Sequence, residues 1–254
     1  MITQGLHRAP VPVDSSRHRA LALRVPVTDW RIASRLNGVV VAAGEFAALC
    51  LDYAIVFVRA AGADTAAGVV PIAVLGLARE RNLYLDGPRW RVAPKPAVLR
   101  AYPFCSGRDA AGRAAVFVDG GWEGVADAGG DGGQPPAQRL FAPDGSPAPL
   151  LAEAQERLQA FETELEGTRA VGRRLVELEL LREMRYDATL PDGRRLAVEA
   201  FLTVDEERLQ SLPDAVVLEL HRSGVLGLLH AHRISLGNLQ RLLEWEAQSG
   251  AVSA

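Results

Sequence analysis

Aromatic residues and arginines gather in one short part of the chain. Trp90 is followed directly by Arg91, and Arg100 opens an Arg-Ala-Tyr-Pro-Phe block that ends at Phe104. Trp, Tyr and Arg dominate the binding hot spots of proteins, and together they suit recognition of a planar or anionic group. Trp90, Arg100 and Tyr102 are therefore candidate ligand-binding residues. The alternative is that the aromatic rings fill the core while Arg100 pairs with a carboxylate.

The histidines offer a second set of candidates. His230 and His232 form an H-x-H pair, which on a strand would suit a metal ion. The apolar residues around the pair recur at helical spacing, however, and positions i and i+2 of a helix point in nearly opposite directions. His232 falls on the apolar stripe, where it is either a hydrogen-bonded core histidine or a further ligand-binding residue, and His221 could approach it. The pattern predicts no metal site.

No constellation of residues in the sequence predicts a catalytic site. It contains no G-x-S-x-G turn, H-E-x-x-H helix, G-x-G-x-x-G loop or P-loop. Glutamates are frequent between residues 153 and 183, but they alternate with arginines opposite an apolar helical stripe, as on a solvated face. We accordingly expect no catalytic residue and no cofactor.

Two cysteines, Cys50 and Cys105, lie far apart in apolar surroundings. A disulfide framework or a structural zinc site needs more cysteines or closer spacing. Free Cys behaves as a small hydrophobe, so the sequence favours two buried free thiols. The alternative is a single long-range disulfide.

Composition excludes several classes of protein. The chain of 254 residues is 48% hydrophobic and 23% charged with a formal net charge of −3, so it lacks the basic face of a nucleic-acid-binding protein. Glu45 and Asp52 interrupt the most hydrophobic region, residues 36–61, so no membrane span is predicted. The N-terminus has no apolar signal-type run, which predicts a cytoplasmic protein and leaves signal-less export to the cell surface open.

The order of the patterns predicts an α+β protein with a sheet-rich N-terminal lobe containing a short helix, followed by a mainly helical C-terminal lobe with one β-hairpin. A long helix is expected from the apolar stripe over residues 151–181, and the hairpin from residues 186–190 and 195–204 around a Pro-Asp-Gly turn. The predicted divisions are a flexible arm (1–24), a single domain (25–245) made of lobes 25–119 and 139–245 with a Gly-rich linker (120–138), and a C-terminal tail (246–254).

Several of these segments resemble the SapC family. The motifs in question are NLYLD at 82–86, Trp90, RAYPF at 100–104, LFAPDGSPAPLL at 140–151, VDEERLQSL at 204–212 and AHRISLGNLQRL at 231–242. Their order and spacing agree with the family from about residue 25 to residue 245. One departure is Ala101, where the family more often has Arg.

The resemblance implies a bacterial protein tied to surface-layer or envelope-uptake systems, and it supplies no catalytic residue. We therefore expect a non-catalytic binding or accessory protein whose partner is a protein or a small molecule. The alternative is an enzyme of unrecognised type, accessory to peptide or small-molecule modification. An enzyme should show a cleft where titratable groups with shifted pKa values converge, whereas a binding protein should show a recognition surface without such convergence.

Overall fold

The computed structural model describes residues 1–60, 68–127, 137–190, 193 and 195–251. It contains both sheets and helices, which confirms the predicted α+β class. The helices are α1 (Phe46–Leu49), α2 (Ala97–Ala101), α3 (Pro149–Glu177), α4 (Glu206–Gln210), α5 (Asp214–Arg222), α6 (Val225–Ser235) and α7 (Asn238–Ala251). The strands are β1 (Pro10–Pro12), β2 (Leu21–Leu23), β3 (Gly38–Val40), β4 (Ile55–Arg59), β5 (Val69–Val74), β6 (Leu85–Asp86), β7 (Arg89–Trp90), β8 (Phe104–Arg108), β9 (Ala114–Asp119), β10 (Val125–Asp127), β11 (Gln138–Arg139), β12 (Leu181–Thr189) and β13 (Arg195–Val204).

The chain divides into two compact units, of which unit 1 comprises Met1–Ala33, Gly87–Arg89 and Val98–Thr163. Unit 1 holds two three-stranded antiparallel sheets, ordered β1-β9-β8 and β10-β2-β11. Strand β9 is rich in apolar residues, and the buried side chains of β8, β9 and the first half of α3 contribute to the core of this unit.

Residues 1–24, for which the sequence predicts a flexible arm, belong to unit 1 and contain two of its strands. Strand β1 pairs with β9, and Val13 N–H donates to the Val116 carbonyl at 2.8 Å. Strand β2 is the central strand of the other sheet. Both strands are only three residues long, and β1 contains two prolines, so they carry almost no periodic signal and the sequence pattern missed them. The Gly-rich linker likewise contributes β10 and β11, while its residues 128–136 lie outside the described part of the chain.

Unit 2 comprises Ser34–Asp86, Trp90–Ala97 and Glu164–Ala254. Its centre is a five-stranded antiparallel sheet ordered β12-β13-β4-β5-β3. The hairpin of β12 and β13 is present as predicted, with a bulge between Met184 and Tyr186. Because β4 from the predicted first lobe pairs with β13 from the predicted second lobe, the lobes 25–119 and 139–245 do not correspond to the two units. The assignment of 25–245 to a single domain stays a prediction.

The long helix α3 starts in unit 1 and ends in unit 2. Its predicted apolar stripe is buried at Leu151, Leu158, Phe161, Leu165 and Leu175, among others. The helix continues through both of its interior glycines, at which the sequence allows a bend or break. The predicted tail is in part helical, since α7 extends to Ala251. Within the described residues, none of the helices combines the length and the apolar character needed to cross a bilayer.

Candidate binding surface

Trp90, one of the predicted ligand-binding residues, belongs to an aromatic cluster in unit 2. Its indole Nε1–H donates to the Tyr53 hydroxyl at 2.7 Å, and that hydroxyl donates to the Pro94 carbonyl at 2.6 Å. The Tyr53 and Tyr84 rings stack with their centroids 4.6 Å apart. Burial raises the pKa of both tyrosines well above the ordinary value, so they stay neutral.

Two half-buried tryptophans lie against the buried Tyr84 ring. Trp90 stacks on it with centroids 5.9 Å apart, and Trp245 of α7 meets it edge-on at 5.1 Å. The Tyr84 hydroxyl donates to the Asp52 carbonyl at 2.7 Å. Buried tyrosines with satisfied hydroxyls thus hold both indoles in fixed orientations.

Arg91 is held against this cluster by two contacts. Its guanidinium carbon lies 5.2 Å from the Trp245 ring centroid, and its Nε–H donates to the Leu85 carbonyl at 3.2 Å. Arg91 is exposed, and within the described residues it has no carboxylate partner. Its terminal N–H groups therefore face solvent as a fork suited to a carboxylate or phosphate.

Arg241 lies on the same face of α7 as Trp245, one helical turn earlier in the chain. Its guanidinium donates to the Leu51 and Asp52 carbonyls at 3.4 Å and lies 3.6 Å from the Asp52 carboxylate. Leu51, next to it, is 68% exposed. We call the set Leu51, Trp90, Arg91, Arg241 and Trp245 the aromatic–arginine surface.

The loop that carries Tyr84 and Trp90 is fixed by backbone contacts. The Tyr84 N–H donates to the buried Asn82 side chain at 2.9 Å, and the Arg91 N–H donates to the Tyr84 carbonyl at 2.8 Å. A Cβ at Gly76 would lie 1.8 Å from the Arg81 carbonyl oxygen, so only glycine permits the close approach of these two segments. These contacts therefore hold the loop, and with it Trp90 and Arg91, in one position.

The predicted candidates Tyr102 and Arg100 lie in unit 1. Tyr102 is buried, its hydroxyl donates to the Asp119 carboxylate at 2.9 Å, and its ring meets the Trp122 ring edge-on at 5.8 Å. These contacts place Tyr102 in the core, and its part in binding a ligand stays a prediction. Arg100 is exposed on α2, and its part in binding a ligand stays a prediction.

His232 lies in the core of unit 2, and its part in binding a ligand stays a prediction. It is fully buried, and the Val204 N–H donates to its Nε2 at 3.1 Å while its Nδ1–H donates to the Ile55 carbonyl at 2.8 Å. Burial lowers the pKa of His232 to about 4, so the ring is neutral at ordinary pH. Both ring nitrogens are therefore hydrogen-bonded to backbone groups. His230 is exposed, and no group of three potential metal ligands is found in the described residues.

Both cysteines are free and buried, which confirms the favoured interpretation of the sequence. Burial raises the pKa of Cys105 to about 11. We therefore expect neither thiol to react with a thiol reagent in the folded protein at neutral pH, and both to react after unfolding in denaturant. Titration of thiols with and without denaturant measures this. Rapid modification of both in the folded state would contradict the burial.

Sequence reasoning missed Trp245 and Arg241. The available signal was their spacing of four residues at the end of the last helix, but nothing in the sequence connects that helix to Arg91. The predicted candidates also do not share one unit, since Trp90 and His232 belong to unit 2 and Tyr102 and Arg100 to unit 1.

Comparison with known proteins gives one match. A family model described as SapC matches residues 13–242, which is most of the 254-residue chain. No protein of curated function and no solved structure shows a significant match. The extent of the family match shows that the chain belongs to the SapC family.

Proposed function

We propose that this chain is a non-catalytic binding protein that recognises a protein partner through the aromatic–arginine surface. The single observation that carries the proposal is Arg91, held by the Trp245 ring and the Leu85 carbonyl with no carboxylate partner in the described residues. A guanidinium fixed in this way has little conformational entropy left to lose on binding. It offers two terminal N–H groups to a carboxylate of the partner.

The composition of the surface supports a protein partner. Trp and Arg are the residue types that most often dominate protein–protein binding energy, and half-buried indoles present apolar area at little entropic cost. Exposed Leu51 adds apolar area beside Arg241. The family resemblance directs the search for this partner toward surface-layer and envelope-uptake proteins.

The titratable groups of the surface favour binding over catalysis. Burial raises the pKa of Tyr53 and Tyr84, so neither exchanges a proton near neutral pH. The surface itself consists of two arginines, Leu51 and two indoles, which do not titrate, and the Asp52 carboxylate lies 3.6 Å from Arg241. A proton-transfer reaction needs a group whose pKa lies near the working pH.

The test is affinity enrichment from the native host with the full chain as bait, comparing the wild type with Arg91→Gln, Arg91→Lys and Trp245→Leu. The matched control is Arg157→Gln, which removes another arginine whose side chain is 66% exposed and which is paired with Glu153 on α3. We expect a partner whose Kd is raised at least tenfold by Arg91→Gln and Trp245→Leu and is unchanged by Arg157→Gln. Arg91→Lys should be intermediate, because it keeps the charge and removes the fork.

Melting temperatures accompany these measurements, since a loss of binding counts only in a folded variant. Arg91 is exposed, so Arg91→Gln should change the free energy of unfolding by less than about 1 kcal/mol. A partner retained equally by the wild type and by all variants would refute the proposed surface.

A further inference from the structure

The N-terminal segment of unit 1 is attached through one buried carboxylate. Asp119, the last residue of β9, is fully buried. Its carboxylate accepts hydrogen bonds from the backbone N–H groups of Arg8 at 3.1 Å, Ala9 at 2.8 Å and Gly121 at 3.2 Å, and from the Tyr102 hydroxyl at 2.9 Å. Residues 3–9 therefore enter β1 through contacts with Asp119 rather than through an apolar side-chain cluster alone. We call residues 3–9 the N-terminal latch.

His7 lies in the middle of the latch and is only 7% exposed. The Thr3 N–H donates to its Nδ1 at 3.0 Å, which places the proton of the neutral ring on Nε2. The Phe104 backbone lies close enough to favour a protonated ring, but within the described residues no acceptor meets Nε2 with hydrogen-bond geometry. The buried ring is thus held on one side by an acceptor bond that exists only while Nδ1 carries no proton.

Protonation of His7 is incompatible with this arrangement. A proton on Nδ1 would face the Thr3 N–H, which then loses its acceptor, and the charge would be buried. Among the surrounding groups, the Thr3 backbone, the Asp119 carboxylate and the Phe104 backbone favour the charged ring, and the Met1 amino group opposes it. Tyr102 stays neutral, and so does Cys105, with a pKa of about 11. Burial outweighs the favourable contacts and lowers the pKa of His7 below its ordinary value of 6.5.

Asp119 responds over a different pH range from His7. Burial disfavours its charge, but the hydrogen bonds from Ala9, Arg8, Tyr102 and Gly121 outweigh burial and lower its pKa below the ordinary value of 3.8. It therefore stays ionised throughout mildly acidic solution. In that range His7 is the group of the latch whose charge state differs between the attached and the released segment.

We propose that residues 3–9 form an acid-released latch, in which protonation of His7 detaches the segment from Asp119 and from the Tyr102 ring, whose centroid lies 5.6 Å from that of His7. This inference is independent of the aromatic–arginine surface, because it rests on residues of unit 1. The direction follows from linkage: the released segment binds a proton at the ordinary pKa of 6.5 and the attached one only at lower pH, so release becomes more favourable as the pH falls below 6.5.

The test measures hydrogen exchange of the full chain at pH 7.5 and pH 5.0, corrected for intrinsic rates, in a peptide covering residues 1–12. The wild type is compared with His7→Asn, in which the amide oxygen can accept from the Thr3 N–H without titrating. The matched control is His18→Asn, because the Nδ1 of the half-buried His18 also accepts a backbone N–H four residues earlier, from Asp14 at 3.0 Å.

We expect the protection of the Arg8 and Ala9 amides in the wild type and in His18→Asn to fall between the two pH values, by up to about thirtyfold. In His7→Asn the fall should be absent. Unchanged protection in the wild type, or an undiminished fall in His7→Asn, would overturn the proposal. Should His7→Asn be unprotected at both pH values, an NMR titration of His7 in the wild type decides: opening must coincide with the titration of its ring, and a displaced midpoint refutes the latch.

Discussion

Acidification from pH 7 to pH 4 is expected to lower the free energy of unfolding by about 3 kcal/mol through His232 alone. Its pKa in the folded protein is about 4, whereas the unfolded chain titrates near 6.5. The unfolded state therefore binds more protons below pH 6.5, so the contribution of His232 is fully present above that pH and is lost as the pH falls toward 4. The physical cause is burial of the ring between the Val204 N–H and the Ile55 carbonyl.

The measurement is urea-induced unfolding of the full chain at several pH values, for the wild type, His232→Gln and His230→Gln. His232→Gln keeps an acceptor for Val204, and the Ile55 carbonyl keeps a contact with the Ser235 hydroxyl at 3.4 Å. We expect this variant to lose about 1–3 kcal/mol at pH 7 and to depend less on pH than the wild type. His230 is exposed on the same helix and serves as the control. If the free energy of unfolding of His232→Gln depends on pH as strongly as that of the wild type, the pH dependence comes from another group. His7 is then the first group to examine.

The second large effect is expected from two glycines of α3 that differ only in what they face. A Cβ at Gly172 would lie 2.4 Å from the Val69 carbonyl oxygen in β5, whereas a Cβ at Gly167 would meet nothing within 4 Å. Gly172→Ala should therefore push the helix away from β5 and destabilise the protein by about 1–3 kcal/mol. Gly167→Ala should stabilise it by about 0.5–1 kcal/mol, because alanine has the higher helix propensity.

Thermal unfolding of the two variants beside the wild type measures this difference. A shift of about 2–4 °C per kcal/mol is expected for a chain of this size, downward for Gly172→Ala and upward for Gly167→Ala. Equal shifts in the same direction would show that helix propensity alone, and not the close approach of α3 to β5, governs both positions.

Much of the fold is determined by patterns within short stretches of the sequence. The helix α3 can be predicted from the sequence because its apolar residues recur at helical spacing. The hairpin of β12 and β13 can be predicted from a turn between two strand-like runs. The burial of Cys50 and Cys105 follows from their apolar neighbours. In each case the residues that establish the feature are close together in the chain.

Tertiary structure alone decided the features that join distant residues. Residues 8–12 are held by Asp119 and by pairing with β9, which no local pattern of a proline-containing segment reveals. Strand β4 pairs with β13, so the units do not follow the order of the chain. Tertiary structure also gives Tyr102 and His232 their hydrogen bonds within the core, while a part in ligand binding stays a prediction for both.

The candidate site shows the same division. Trp90 and Arg91 are adjacent in the chain and are residue types suited to binding, and the sequence predicts Trp90 as a candidate. Nothing in the sequence shows that Trp245 and Arg241, about 150 residues later, lie beside them. The stack of Trp90 on Tyr84, the edge contact of Trp245 and the position of Arg91 over that indole depend on packing between α7 and the loop around Tyr84. The sequence determines which side chains are present, whereas long-range packing determines which neighbours orient them. The reason is that the spacing of two residues along the chain does not give their distance in the folded protein.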